Sequence, residues 1–308
     1  MNQSSVIWLG DGLVAASDAK ISVLSPTVKY GINVFEGLRC YADPDRRDLR
    51  IFRMEEHLLR LQESMRMMRY EEPPSVDRLR GIVLDTLRAN DVRVDTHVRL
   101  SVYVLGEGTM DARGPLSVMC ALHVGPSKPI AERSVRAQVS SWRRIDDQAL
   151  PPRIKNAANY SNGRLALMQA RDDGYDEAIF LTREGHVSEA AAACLFIVKN
   201  GTIVTPPVTA SILESITRGS LIDLCRRELG REVVERDIDR TELYTADEVF
   251  LCGSAYEVTP VVGIDRLTIG DGAAGPVTLS AWDVYLETVR GRNPARAQWT
   301  SAVHGSAG

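Results

Sequence analysis

Lysine is scarce in this chain: of 37 basic residues 32 are arginine, and the five lysines are Lys20, Lys29, Lys128, Lys155 and Lys199. An amine that attacks a carbonyl must first lose its proton, which proteins arrange by desolvating it or by placing it near other positive charge. Lys155 suits this best. It lies in Pro151-Pro152-Arg153-Ile154-Lys155-Asn156-Ala157-Ala158-Asn159-Tyr160, a stretch short of acidic partners just before a predicted helix. By position alone the plainer reading, a solvated loop lysine, would win. A second group of polar residues shares one side of a predicted strand. Between Thr96 and Leu105, Val98, Leu100, Val102 and Val104 alternate with His97, Arg99, Ser101 and Tyr103, so the strand has a potentially functional face.

The elements that must position these residues are legible in outline. Val6–Leu9 and Leu13–Ala15 around Gly10-Asp11-Gly12 read as a hairpin. Residues 54–69 and 75–89 carry apolar residues at helical spacing. A strand over 116–124 precedes Gly125-Pro126-Ser127-Lys128-Pro129, the best boundary between two lobes. Beyond it come hairpins, one of them at Asn200-Gly201, a helix at 217–229 and a strand at 249–252. The expected division is a small domain over 1–125, a loop over 126–134, a large domain over 135–290, and a small, polar and disordered tail over 291–308.

Composition excludes several classes. A formal charge of −4 leaves no electrostatic footprint for nucleic acid, and no apolar run approaches a membrane span. Met1–Ser5 does not read as a secretory signal, so a cytoplasmic protein is expected. Five scattered cysteines, never in a C-x-x-C pair, argue against a disulfide framework or a metal site. Gly270-Asp271-Gly272-Ala273-Ala274-Gly275 matches G-x-G-x-x-G, but Pro276 follows and no acidic residue stands about twenty positions on, so it reads as a turn.

Six segments in order resemble the class IV, fold type IV, pyridoxal-phosphate aminotransferases, and most closely the branched-chain amino-acid aminotransferases. They are Tyr30-Gly31-Ile32-Asn33-Val34-Phe35-Glu36-Gly37-Leu38-Arg39, His57-Leu58-Leu59-Arg60-Leu61, Lys155–Tyr160, Val187-Ser188-Glu189, Leu213-Glu214-Ser215-Ile216-Thr217-Arg218, and Gly253-Ser254-Ala255-Tyr256-Glu257-Val258-Thr259-Pro260. Each is weak alone; their common order is the signal. The resemblance implies an α+β fold with a small N-terminal α/β lobe and a larger β-barrel-like C-terminal lobe with flanking helices. It also implies a homodimer and pyridoxal 5'-phosphate as cofactor. The substrates would be an amino acid and a 2-oxo acid such as 2-oxoglutarate.

The resemblance further assigns roles. Lys155 would form the Schiff base to the cofactor and shuttle the proton, and Glu189 would keep the pyridine nitrogen protonated. Tyr160 would hydrogen-bond the ring oxygen. The start of a predicted helix at Ile216 and Thr217, with Arg60 and Ser254, would bind the phosphate. Arg39 and Arg99 would meet substrate carboxylates, Arg99 the second one of glutamate, and Tyr30, Phe35 and Gly37 would shape the side-chain pocket. Amides near Ser254 and Ala255 would meet phosphate or carboxylate. The chain departs from the family at His97, where an aromatic is usual, at Leu100 in place of proline, at Tyr256 in place of a small residue, and in the run Ala190–Ala193. These departures point to an amino donor more polar or bulkier than valine, leucine or isoleucine. Rival readings are a D-amino-acid or (R)-amine transaminase, an aminodeoxychorismate lyase, or a non-catalytic binding protein on the same fold.

Overall fold

A computed structural model describes residues 2–3, 5–43 and 48–305. It resolves into two compact units, one of Met1–Ser127, Ile154–Ala158 and Glu287–Gly308, the other of Lys128–Arg153 and Asn159–Leu286. The turn at Gly125–Pro129 thus holds the main break, whereas the five residues around Lys155 join the first unit rather than the second.

In the first unit the strands are β1 (Asn2–Gln3), β2 (Val6–Leu9), β3 (Gly12–Ala15), β4 (Asn33–Asp43), β5 (Asp48–Phe52), β6 (Thr96–Val104) and β7 (Leu116–Val124). They form an antiparallel sheet ordered β5-β4-β6-β7-β2-β3, with β1 also on β7. A short helix α1 (Pro26–Tyr30) precedes β4; α2 (Met54–Met67) and α3 (Val76–Ala89) supply the layer beside the sheet. The alternation in β6 does what its pattern dictates: Val98, Leu100, Val102 and Val104 enter a core with Leu58, Leu61, Met65, Leu79, Ile82, Val83 and Leu87. Each such side chain contributes about 1.5–3 kcal/mol on burial. His97 and Arg99 are left on the opposite face. Ser75 caps α3 by accepting a hydrogen bond from the Arg78 amide.

The tail corrects the expectation of disorder. Pro294–Trp299 forms a 3₁₀ turn, and Thr300–Ala302 adds an antiparallel strand to β5. Trp299 packs edge-on against Phe52 and receives the Arg53 guanidinium, which ties this small, polar segment down. Residues 306–308 lie outside the described residues.

The second unit contains β8 (Val135–Arg143), α4 (Tyr160–Asp172), β9 (Glu177–Leu181), β10 (Val187–Ala190), β11 (Cys194–Lys199), β12 (Thr202–Thr205), α5 (Ile216–Arg227), β13 (Val233–Glu235), α6 (Glu242–Thr245), β14 (Glu248–Gly253), β15 (Glu257–Ile264), β16 (Leu267–Thr268) and all but the last turn of α7 (Pro276–Val289). The sheet runs β10-β9-β8-β15-β14-β11-β12-β13, with β16 on β15. A hydrogen bond from the Ala190 amide to the Ala193 carbonyl brings β10 back to β11, so six of these strands curl into a barrel-like ring. Asn200 and Gly201 both have positive φ, as the tight β11–β12 hairpin requires. The α+β expectation holds, and the G-x-G-x-x-G segment is a turn before α7. Helices α1 and α7 were not anticipated, although Val277, Ala281, Trp282, Tyr285 and Val289 recur at helical spacing in α7 and are buried.

Candidate active site

Lys155 is fixed by its main chain. The Phe35 amide of β4 donates to the Lys155 carbonyl at 3.0 Å, and Val34 and Asn156 form an isolated antiparallel bridge. From the other side the Lys155 amide donates to the Ser64 hydroxyl of α2 at 3.2 Å. With both backbone groups held, the ammonium stands 4.9 Å from the centre of the Phe35 ring. The same ring takes the Arg99 guanidinium at 3.1 Å, while Arg99 Nε donates to Ser101 at 3.2 Å.

The register of β4 on β6 then builds a cationic face. Gly37 pairs with Arg99 and Arg39 with His97, and His97 pairs in turn with His123 of β7. A Cβ on Gly37 would sit 2.8 Å from His97 Cε1, so the imidazole occupies the space that only glycine leaves. Burial, with Arg39, His123, Lys155 and Arg99 nearby, pushes His97 down to about 3, so its ring is neutral. Its Nδ1 is buried and has no hydrogen-bond partner among the described residues. Arg39 donates to the Gly125 carbonyl at 3.1 Å. Tyr30 is half-exposed at the end of α1, and Gly31 after it, with φ of 70°, lets that turn approach Ala158.

Arg60 has a partner that the sequence reading missed. Its Nε and Nη2 donate to the two oxygens of Glu36 at 2.7 and 2.8 Å, and His57 Nδ1 lies 2.7 Å from Glu36 Oε2. Burial alone would raise the Glu36 carboxyl, but Arg60 and His57 overcome it and hold the group well below the usual range. Burial likewise outweighs the pull of Glu36 on His57 and lowers it, with Nδ1 facing the carboxylate. Arg60 thus stays partly exposed and oriented instead of waving in solvent. The signal for this was present: Glu36 alone is ionisable in an otherwise apolar stretch, Val34 to Leu38, of a central strand.

The second unit holds the other predicted residues. Glu189 is not a surface hairpin glutamate; it is 4% exposed, and Arg144 Nη2 lies 2.6 Å from its Oε1. The Leu213 amide donates to the carboxylate at 3.3 to 3.4 Å, and Cys194 Sγ is 3.7 Å from Oε2. The alanine run after Glu189 serves close packing. A Cβ on Gly163 of α4 would meet the Ala191 carbonyl at 2.5 Å, and one on Gly253 would come within 3.7 Å of the Ala192 carbonyl. The helix that opens with Tyr160 and the turn that carries Ser254 and Ala255 therefore flank the same segment.

Helix α5 begins as predicted. Ser215 caps it, accepting the Arg218 amide on its hydroxyl at 3.2 Å and the Gly219 amide on its carbonyl at 2.9 Å. The amides of Ile216 and Thr217 in its first turn have no acceptor within the helix. Arg218 is buried on Thr205, the Pro206 carbonyl and Glu235. The Tyr256 hydroxyl donates to Glu177 at 2.5 Å. Burial, reinforced by Glu177, raises the Tyr256 hydroxyl, and burial raises Glu177 as well, so the pair is a buried hydrogen bond within the unit.

The donors within each unit fit pyridoxal phosphate. A buried carboxylate with its own arginine suits a pyridinium nitrogen. Two amides at a helix N-terminus that have no acceptor within the helix suit a phosphate, and a lysine with a fixed main chain suits a carbonyl. Among the described residues no group of three or more His, Cys, Asp or Glu could hold a metal ion, and no helix is long and apolar enough to cross a membrane.

Comparison with known proteins agrees. The family profile for amino-transferase class IV matches residues 33–264. The probable branched-chain-amino-acid aminotransferase of Aquifex aeolicus is 39% identical over 296 residues, which cover 95% of this chain and 94% of that protein. The branched-chain-amino-acid aminotransferase of Escherichia coli K12 is 35% identical over 309 residues, covering 98% of each. Among solved structures, the branched-chain enzyme of Thermobaculum terrenum in its PLP form aligns with a TM-score of 0.90 at 37% identity over 99% of this chain and all of that one. The branched-chain aminotransferase of the archaeon Thermoproteus uzoniensis, solved with norvaline, aligns with a TM-score of 0.90 at 36% identity, over 98% of this chain and all of that one. With a buried carboxylate and a helix N-terminus of the kind the cofactor needs, and with relatives along its whole length, the chain belongs to the class IV aminotransferases, pyridoxal-phosphate enzymes of fold type IV.

Proposed function

We propose that this transaminase moves an amino group between an L-amino acid, branched-chain-like or a related non-standard one, and a 2-oxo acid such as 2-oxoglutarate. The observation that carries the reading is the face on which Arg39, His97 and Arg99 lie beside Lys155, a setting built for carboxylates next to an amine. The names of the relatives support the branched-chain class. His97, with an unpartnered Nδ1, favours a donor that carries a polar group.

When bound, pyridoxal phosphate supplies an aldehyde that condenses with amines and a ring that takes up the electron pair left by the substrate's Cα proton. Lys155 would hold it covalently, and Lys155 Nζ would carry the proton away from and back to carbon. Glu189 would keep a proton on the ring nitrogen, and Tyr160 would donate to the ring oxygen. The Ile216 and Thr217 amides, Arg60 and the Ser254 hydroxyl would bind the phosphate. Arg99, with Arg39, would orient the second carboxylate of a dicarboxylic substrate. Phe35, Gly37 and Tyr30 would bound the side chain, and the backbone at Ala255 and Tyr256 would meet the α-carboxylate. The protein would work as a cytoplasmic homodimer.

A screen of amino donors of both hands against 2-oxoglutarate and pyruvate tests this. Turnover of L-donors with 2-oxoglutarate, abolished in Lys155→Ala, is expected. Activity confined to D-donors would overturn the reading, and comparable turnover of valine, leucine and isoleucine with nothing better would remove the polar donor.

A further inference from the structure

The side chains around Glu189 form a chain of contacts. Arg144 places Nη2 2.6 Å from Glu189 Oε1, and both side chains are less than a tenth exposed. The same guanidinium directs Nη1 to Asn162 Oδ1 at 3.4 Å and Nε to the Ser211 carbonyl at 3.3 Å. Asn162 also accepts from the Ile145 amide at 3.4 Å and donates to the Arg143 carbonyl at 3.0 Å. It is the third residue of α4, the helix whose first residue is Tyr160. At the other oxygen of Glu189 stands Cys194, a thiol that burial and then Glu189 push up to about 12, so it is a neutral neighbour.

A carboxylate this far from water takes up a proton unless a cation holds it ionised. Arginine is suited to that task because it does not deprotonate and its planar fork addresses three acceptors at fixed angles; lysine could address them only as a point charge. We infer that Arg144, itself held by Asn162, is a positioning residue that keeps Glu189 an oriented anion and fixes its place relative to Tyr160. The two ends of the cofactor ring, nitrogen and oxygen, are thereby matched to one rigid assembly. The inference rests on the role proposed above for Glu189. With Arg144 drawing on the carboxylate, a proton shared between Glu189 and the ring stays on the ring.

Apoprotein titrated with pyridoxal phosphate, and with its analogue carrying carbon in place of the ring nitrogen, separates a role through the nitrogen from mere packing. Wild type should bind the natural cofactor more tightly than the analogue. Arg144→Met and Arg144→Lys should lose on the order of tenfold in affinity for the natural cofactor and little for the analogue. Asn162→Ala should move the same way by less, and keeps the test open if Arg144→Met fails to fold. Equal loss for both ligands in the Arg144 and Asn162 variants would make Arg144 a packing residue and overturn the inference. Glu189→Gln is the control: if it abolishes the preference while Arg144→Met retains it, the inference alone falls; if it leaves the preference intact, the assignment of Glu189 falls first.

Discussion

At its candidate residues each unit of the molecule sets a buried carboxylate against an arginine, and the two pairs are built in opposite senses. In the first, both oxygens of Glu36 are taken by Arg60, and His57 adds a third donor, so the fully buried carboxylate serves to hold the arginine. In the second, Arg144 sets Nη2 on Oε1 of Glu189 while Asn162 and the Ser211 carbonyl hold its other nitrogens, so the arginine serves the carboxylate. The same two residue types therefore present a cation in one place and an anion in the other. What decides is which partner is more fully engaged.

Substitutions can break that contrast. Glu36→Gln should cost the most in stability, about 3–5 kcal/mol, because it strips a mostly buried guanidinium of its counter-charge; chemical denaturation of the apoprotein measures it, and a loss under about 1 kcal/mol would mean the pair is not a unit. Glu189→Gln should show the reverse profile, with kcat down about 100-fold, equivalent to about 2.7 kcal/mol of barrier, and a smaller change in Tm than Glu36→Gln. If both variants lose stability alike and neither loses kcat selectively, the two senses collapse into one. Ser64→Ala should cost about 1 kcal/mol by leaving the Lys155 amide without its acceptor, seen as a lower Tm that Ser64→Thr restores. A last prediction concerns acid. His97 is neutral in the folded state down to about 3, whereas the unfolded chain binds the proton near 6.5. Its contribution to stability is therefore complete above pH 6.5 and fades as the pH falls toward 3. His97→Gln should flatten that part of the pH–stability curve; an unchanged slope would show that His97 protonates as readily folded as unfolded.

Local pattern carried much of this architecture. Thr96–Val104 is the strand that its apolar alternation announced, α2 and α3 fall within two residues of their periodic segments, and Ser215 marks the start of α5. The candidate residues Lys155, Glu189, Ile216 and Thr217 were legible through the order of their motifs. Ser64, His57, Arg144 and Asn162 were not, for a physical reason: each acts through a hydrogen bond between elements remote in sequence, such as the 91 residues between Ser64 and Lys155. Composition misled at the tail, where Trp299 supplies an anchor that the small residues around it conceal. The partner of the Tyr256 hydroxyl, Glu177, was hidden for the same reason as Ser64, since 79 residues separate the two.

The route of the backbone at Ile154–Ala158 bears on how such a protein can be inherited. Five residues that belong to the first unit are encoded in the middle of the second, and the C-terminal residues from Glu287 onward return to the first again. No single crossover point in the gene separates the two units, and any one cut leaves Lys155 on the wrong fragment or strands the last helix turn. Exchanging either unit intact takes more than one crossover, whereas a point substitution of the kind represented by His97 leaves both units undivided.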